Sequence, residues 1–211
     1  MITSGKGFFI TLEGGEGAGK STQHVRIVEW LEAHGKEVVE AREPGGTTVS
    51  EQIRHLLLDT RNGGLGSRTE LLLLFAARAQ LLREVIRPAL AAGKVVVSDR
   101  FTDASYAYQG GGRQMGRDTV AVLEKFVHQD LQPDLTLLFD VPIEQGLQRV
   151  AGRGQADRFE IESTGFFERV RTTYLERAAE SPRRFSVIDA GQDQEQVWQQ
   201  VQDILEKLPG L

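Results

Sequence analysis

Residues 14–21 form a glycine-rich segment that ends in a lysine and a serine, and they match the pattern G-x-x-x-x-G-K-[ST] at every fixed position. Glycines let the backbone curl so that successive N–H groups point at one phosphate, and a helix N-terminus adds its positive dipole end. We expect Lys20 to reach the β- and γ-phosphates of a nucleotide and the Ser21 hydroxyl to bind Mg²⁺. The predicted nucleoside triphosphate site consists of Gly14, Gly15, Glu16, Gly17, Ala18, Gly19, Lys20 and Ser21.

Two absences indicate what is done with the triphosphate. A guanine-reading Asn-Lys-x-Asp loop is missing, because the only asparagine, Asn62, precedes a glycine. Motor ATPases usually end a strand in Asp-Glu, whose glutamate prepares a water, but the candidate strands here end in Asp99-Arg100 and Asp140-Val141. The pattern therefore favours phosphoryl transfer to a second substrate over hydrolysis.

The arginines suit such a transfer, which needs two facing anion sites, cations around the phosphoryl group and a lid that excludes water. Arg42 and Arg100 each follow a predicted strand, at the sheet edge where ligands bind in open α/β folds. Arg149, Arg153 and Arg158 surround glycines that divide two predicted helices. We predict a short lid over about residues 150–162.

Short apolar runs alternate five times with longer helical patterns, which predicts an α/β fold with a parallel sheet. The predicted strands are 8–12, 38–41, 94–98, 135–139 and 185–188. The predicted helices are 21–34, 50–58, 69–90, 118–128, one after Pro142, one from 163 or 164, and 195–208. Ser50 is expected to cap the second helix and Pro88 to end or bend the third. No linker divides the chain, so we expect a single domain over residues 1–211.

Composition limits the partners. The formal net charge is −5, which argues against nucleic acid or an anionic membrane as the main partner. The absence of cysteine excludes disulfides and thiolate chemistry, and the four histidines lack metal-ligand spacing. Without a signal-peptide pattern or a long apolar run, a cytoplasmic location is expected.

Beyond the first motif, segments along nearly the whole chain resemble bacterial thymidylate kinases, in the order and spacing of that family. The segments are residues 13–21, Arg42-Glu43-Pro44-Gly45-Gly46-Thr47, Leu74-Phe75-Ala76-Ala77-Arg78, Asp99-Arg100-Phe101, Ser105-Tyr106-Ala107-Tyr108-Gln109, and Arg153-Gly154 with Asp157-Arg158-Phe159-Glu160.

The resemblance implies phosphorylation of dTMP to dTDP by ATP and Mg²⁺, within dTTP biosynthesis. It also implies a P-loop NTPase-type three-layer fold, in which helices flank a five-stranded parallel sheet, and a homodimer. Gly17 stands where one subgroup of the family carries an arginine, so this chain resembles the subgroup whose arginines lie in the lid.

For the acceptor, the resemblance implies that Arg100 grips the monophosphate with help from Arg42 and Arg54. It places Phe75 on the thymine ring and Arg78 at a ring carbonyl.

Three further residues complete the acceptor side. Ser105 and Gln109 are expected to read the base edge, since a glutamine amide offers both a donor and an acceptor. Tyr108 is expected to fill the space of a ribose 2′-OH.

For the donor side, Arg153 is expected to stabilise charge on the transferring phosphoryl group, with Arg149 and Arg158 as alternatives. Arg149 is also assigned to the ATP site. Glu16 is expected either to hold the sugar 3′-OH or to organise Mg²⁺. Asp99 is expected either to anchor Mg²⁺ or to orient Arg100.

Two other functions stay open from the sequence. One is a P-loop kinase for a different nucleotide or nucleoside, because one methyl group is worth only about 1–3 kcal/mol between dTMP and dUMP. The other is a regulator that binds a nucleotide without transferring phosphate.

Overall fold

Five parallel strands form one sheet in the order β2-β3-β1-β4-β5, in the computed structural model that describes residues 7–151 and 157–208. The strands are β1 Phe8–Gly14, β2 Val38–Arg42, β3 Val95–Asp99, β4 Leu135–Asp140 and β5 Phe185–Asp189. All four neighbouring pairs are parallel, which confirms the predicted five-stranded parallel sheet.

Helices connect and cover the strands. They are α1 Lys20–Ala33, α2 Thr48–Leu58, α3 Ser67–Leu81, α4 Arg87–Ala91, α5 Thr102–Ser105, α6 Arg117–His128, α7 Ile143–Val150, α8 Thr164–Glu180 and α9 Gln194–Leu205. A short 3₁₀ turn spans Thr60–Asn62, and π-helical turns span Leu82–Ile86 and Tyr106–Gly112.

The sheet is apolar on both faces because each face is covered by helices. Ile10 and Leu12 point to one face, where they pack in a cluster with residues of α1 and α9. Phe9 points to the other face, against the end of α3 and the turns that follow it. Leu138 packs there with the aromatic residues of α8. These layers give the three-layer α/β architecture that was predicted.

Strand register brings the predicted site residues to one edge of the sheet. Asp99 lies opposite Leu12 of β1 and opposite Arg42 of β2, so three strands end side by side. Ligands in open parallel sheets bind at this carboxyl edge, where the connections diverge to opposite sides.

The structure corrects one helix-cap prediction and part of another helix prediction. Thr47, not Ser50, caps α2, and its Oγ1 accepts the backbone N–H of Ser50 at 3.1 Å. Ser50 lies inside the helix, where its hydroxyl donates to the carbonyl of Ala77 at 2.8 Å. The third predicted helix continues from α3 through the π turn Leu82–Ile86 into α4, so Pro88 does not end it, and a bend at Pro88 stays a prediction.

The segment from α5 through the second π turn is helical, although the sequence analysis predicts no helix there. Its glycines serve close packing against α8. A Cβ added to Gly111 would lie 2.0 Å from Thr173 Oγ1, and one added to Gly112 would lie 2.5 Å from the ring of Phe166. The run of glycines lowers the helix propensity of this segment, and its packing against α8 explains why it is nevertheless helical.

Candidate active site

One open cavity of about 410 Å³ lies at the carboxyl edge of the sheet. It joins the glycine-rich segment to residues of α2, α3 and the segment after β3. The predicted residues in its wall are Glu16, Gly17, Ala18, Gly19, Lys20, Ser21, Arg42, Arg54, Arg78, Asp99, Arg100, Ser105, Tyr108 and Gln109.

The glycine-rich segment curls as its composition predicts. Gly17 and Gly19 adopt φ values of 69° and 80°, which disfavour residues with a side chain. Lys20 begins α1 and folds back over the segment, where its Nζ donates to the carbonyls of Gly14 and Gly15 at 3.0 and 2.8 Å. Burial, followed by the nearby Arg100, lowers the pKa of Lys20 to about 8. The amine is thus held where an anion would favour its charged form.

Arg100 lies in the middle of the cavity with a left-handed backbone, at a φ of 68°. Its Nη2 donates to Glu16 Oε1 at 2.7 Å, and its Nη1 donates to the carbonyl of Gly14 at 2.9 Å. The Tyr108 hydroxyl donates to the same Glu16 oxygen at 2.7 Å. Burial opposes the charge of Glu16, but Arg100 and Lys20 outweigh it and hold the pKa of Glu16 below its usual value.

A buried carboxyl group, that of Glu13, contacts the backbone that follows β3 next to Arg100. Glu13, fully buried at the end of β1, accepts the backbone N–H of Phe101 and the hydroxyl of Tyr174, both at 2.7 Å. Burial, and then the nearby Asp103, raises the pKa of Glu13 from 4.5 to about 8. Glu13 therefore ties the residue after Arg100 to the strand that carries the glycine-rich segment.

Arg42 and Arg54 lie at the outer wall of the cavity. Arg42 Nη2 donates to Glu51 at 2.9 Å, and Arg54 Nη1 donates to the carbonyl of Pro44 at 2.8 Å. Since Arg42 is more than half exposed, an incoming anion can compete for its guanidinium group.

Arg78 lies at the far end, with only 2 % of its surface exposed. Its Nε donates to Glu43 at 2.7 Å and its Nη2 to Ser105 Oγ at 2.9 Å. Its buried Nη1 has no hydrogen-bond partner among the described residues. A buried, unpartnered donor in a cavity wall is suited to an acceptor on a ligand.

Gln109 lies next to Ser105 in the cavity wall and is 1 % exposed. Its Nε2 donates to Glu70 at 2.7 Å, which commits the amide nitrogen to the protein.

The model of the family described as Thymidylate kinase matches residues 12–201. The chain belongs to the thymidylate kinase family.

Relatives and a solved structure agree with this membership. The chain is 57 % identical over 205 residues to the thymidylate kinase of Pseudomonas putida, covering 97 % of this chain and 96 % of that protein. It is 56 % identical over 202 residues to that of Ectopseudomonas mendocina, covering 96 % of each. The crystal structure of thymidylate kinase from Ehrlichia chaffeensis matches with a TM-score of 0.77 at 33 % identity, covering 95 % of this chain and 99 % of that one.

The structure places one residue differently from the expectation based on the thymidylate kinase family. Phe75 is 2 % exposed and packs in a core cluster with Leu71, Tyr106 and Val120, so it does not line the cavity. Leu74, one position earlier, lies in the cavity wall instead. α3 turns this side chain into the core, and the stacking of Phe75 on the base stays a prediction.

The lid residues are placed only in part. Arg149, on α7, donates to the carbonyls of Gly17 and Ala190 at 3.3 and 2.8 Å, behind the glycine-rich segment. Arg158 is 4 % exposed and donates to the carbonyl of Leu57 at 2.8 Å. Arg153 lies outside the described residues, so its role stays a prediction.

α7 approaches the glycine-rich segment at two glycines, Gly146 of α7 and Gly17 of the segment. A Cβ added to Gly17 would lie 2.1 Å from the carbonyl oxygen of Gly146, and one added to Gly146 would lie 2.5 Å from the carbonyl oxygen of Glu16. The two backbones touch, and neither position has room for a methyl group.

Ser21 and Asp99 both line the cavity, and Asp99 Oδ1 is buried without a hydrogen-bond partner among the described residues. A hydroxyl and a free carboxylate oxygen are hard ligands that fit Mg²⁺. The described residues hold no cluster of three or more His, Asp or Glu side chains for a metal. This donor set fits a Mg²⁺ ion that takes its remaining ligands from phosphates and water.

Glu43, Glu70 and Leu74 are among the cavity or support residues that the sequence analysis does not name as site residues. Glu43 stands beside Arg42 in the Arg-Glu-Pro-Gly-Gly segment, and Glu70 stands in the first turn of α3. An acidic residue in a first helical turn reads as support for the helix dipole. Only the fold shows that both carboxylates face arginines in the interior.

Across residues 7–151 and 157–208, no helix combines the length and apolarity needed to cross a membrane.

Proposed function

We propose that this chain transfers the γ-phosphoryl group of ATP to dTMP, giving dTDP for dTTP synthesis. One observation carries the proposal. One cavity is lined by Lys20 of the glycine-rich segment, by Arg100 and by Arg78, whose buried Nη1 has no hydrogen-bond partner among the described residues. These groups suit a triphosphate, a monophosphate and a base with carbonyl groups.

The mechanism needs no general base. A phosphate monoester has a second pKa near 6, so dTMP is mostly dianionic at pH 7 and its own oxygen is the nucleophile. Catalysis then rests on positioning and on neutralising charge, which Lys20, Arg100 and the predicted Arg153 supply. Ser21 and Asp99 would hold Mg²⁺, which when bound neutralises charge on the β- and γ-phosphates.

The remaining roles follow the cavity from the monophosphate toward the base. Arg42 and Arg54 assist Arg100, since guanidinium groups match phosphate oxygens bidentately. Glu16 holds the sugar 3′-OH once Arg100 takes the phosphate, and Tyr108 occupies the space of a 2′-OH. Arg149 supports the ATP site by holding Gly17, and residues of about 150–162 form the lid.

An acceptor screen tests the activity. The purified chain is mixed with ATP and Mg²⁺, and ADP release is measured with dTMP, dUMP, AMP, dCMP and thymidine. We expect dTMP to be preferred, with slower turnover of dUMP. A strong preference for thymidine overturns the acceptor, and ATP binding without ADP release in every mixture indicates a regulator.

We also propose that the chain forms a homodimer through α3 and α6, which pack against each other. Leu72 on α3 and Val122 and Phe126 on α6 are 58, 70 and 82 % exposed, which is unusual for large apolar side chains on neighbouring helices. Light scattering is expected to give about twice the mass of one chain, and Phe126→Asp to reduce it to one. A Phe126→Asp protein of unchanged mass contradicts this surface.

A further inference from the structure

Glu70 is a buried carboxylate that contacts the base end of the cavity without lining it. It lies in the first turn of α3 with no exposed surface. Arg158 Nη2 lies 2.6 Å from its Oε2, and Arg113 Nη2 lies 3.2 Å from the same atom. Two guanidinium groups thus offset the cost of burying the charge.

Its remaining partner is the Gln109 amide, whose Nε2 donates to Glu70 Oε1 at 2.7 Å. An ionised carboxylate accepts hydrogen bonds and donates none. The amide can therefore turn only its NH₂ group toward Glu70. This fixes the orientation of Gln109 chemically and leaves Oε1, an acceptor, as the group available to a ligand.

The cavity wall therefore holds a donor side chain, Arg78, whose buried Nη1 has no hydrogen-bond partner among the described residues, and an amide, Gln109, whose Oε1 is left as an acceptor. Thymine and uracil carry a ring N–H beside a carbonyl, which is the complementary pair. Cytosine reverses that edge, with a ring nitrogen that accepts beside an amino group that donates. An acceptor facing an acceptor leaves both groups unpaired, which disfavours binding of the wrong base.

We infer that Glu70 is a positioning residue that makes the site select a pyrimidine with an N3–H group, by holding Gln109 with its carbonyl toward the base. The inference rests on the proposed dTMP kinase activity. In Glu70→Gln, residue 70 can also donate, so Gln109 can turn over and present its NH₂ group. The variant can then pair with the ring nitrogen of cytosine, while Arg78 still faces the amino group with a donor, so discrimination against cytosine is reduced and not reversed.

A double-mutant cycle tests this inference. Wild type, Glu70→Gln, Gln109→Met and the double variant are assayed with dTMP and dCMP, and the ratio of kcat/KM values is compared. Glu70→Gln is expected to lower the dTMP to dCMP ratio by roughly ten- to a hundredfold, mostly through KM. In the Gln109→Met background the same change is expected to leave the ratio unaltered, because Glu70 acts through Gln109.

Two controls separate positioning from simple loss of stability. Asp103→Asn removes another buried carboxylate, one that contacts Arg177 and Arg184 rather than Gln109, and is expected to leave the ratio unchanged. Glu70→Asp keeps the charge opposite the arginines but is too short to hold Gln109. It is expected to lower the ratio even if Glu70→Gln does not fold.

The outcomes distinguish this inference from the activity beneath it. A wild-type chain that does not phosphorylate dTMP overturns the proposed function. A wild-type chain that does, combined with Glu70 variants that slow dTMP and dCMP equally or shift the ratio independently of Gln109, overturns the role of Glu70.

Discussion

Lys20 shows how a single side chain is prepared for an anion. It is 8 % exposed, and burial, then Arg100, lowers its pKa to about 8. Two backbone carbonyls hold it until phosphate oxygens replace them. The phosphates of a bound nucleotide favour the ammonium form, so nucleotide binding is expected to raise the pKa of Lys20 toward its ordinary value.

A pH profile tests this state of Lys20. Because the ammonium form binds phosphate, kcat/KM for ATP is expected to fall as pH rises through about 8, the pKa in the free protein. In Lys20→Arg the side chain stays charged over this range, so activity is lower throughout but the decline is absent. A wild-type profile that stays level to pH 10 contradicts the prediction.

The neighbours Leu74 and Phe75 are expected to respond differently to truncation. Phe75→Ala removes a buried ring and should lower the free energy of unfolding by about 3–5 kcal/mol, with little change in KM for dTMP. Leu74→Ala removes a cavity-wall side chain and should raise KM for dTMP with a smaller loss of stability. Urea unfolding and steady-state kinetics measure both. A Phe75→Ala protein of normal stability with a raised KM restores the stacking role.

For single residues, the sequence predicts which side chains line the cavity better than it predicts the hydrogen-bond and ion-pair partners of each. Gly17 and Gly19 of the glycine-rich segment line one cavity with Arg78, Arg100 and Gln109, whereas Gly14 and Gly15 do not line it. The sequence does not predict the Arg78–Glu43 pair or which of Leu74 and Phe75 faces the cavity. Both depend on the rotation of α3, and an apolar run of four leucines and a phenylalanine leaves that rotation undetermined.

Among the elements, α7 and the glycine-rich segment act together because their backbones touch at Gly17 and Gly146. Alanine inside a helix is normally more favourable than glycine by about 1 kcal/mol. At position 146 the added methyl group would meet the Glu16 carbonyl oxygen at 2.5 Å, so the backbone must shift.

We therefore expect Gly146→Ala to weaken ATP binding, measured by calorimetry, and to lower the melting temperature. Gly165→Ala, in the first turn of α8, is the matched control, because its methyl group meets only ordinary contacts, the nearest at 3.6 Å. Equal ATP affinity in the two variants contradicts a coupling between α7 and the segment.

The sequence predicts the existence and order of the strands and most helices, because apolar periodicity determines them. It does not predict helix Thr102–Ser105 or the π turn after it. There the local glycines oppose a helix, and packing against α8 overrides that preference. The cap of α2 escapes the sequence because Thr47 and Ser50 are both common N-cap residues and residue type favours Ser50.

For the whole molecule, Glu13 imposes a dependence of stability on pH. Its pKa is about 8 in the folded chain and near 4.5 when unfolded. Between these values the unfolded chain releases a proton that the folded chain keeps. The contribution of Glu13 to the free energy of unfolding therefore decreases as pH rises from 4.5 to 8.

Glu13→Gln tests this at the level of global unfolding. The amide keeps an acceptor for Phe101 N–H but does not titrate, so the downward trend between pH 4.5 and 8 should become weaker. Urea unfolding of both proteins across that range measures the difference. Parallel curves for the two proteins mean that another group causes the trend.

The pairing of Arg100 with Glu16 affects which ligands can bind at Arg100. The Arg100 guanidinium group is already paired with Glu16, so a ligand binds to it only if it carries an anion that competes with this carboxylate. A dianionic monophosphate can replace Glu16 as the partner of Arg100, whereas thymidine has no anionic group and leaves the ion pair intact. The chain would thus refuse unphosphorylated nucleosides through competition for one cation, with no steric barrier required.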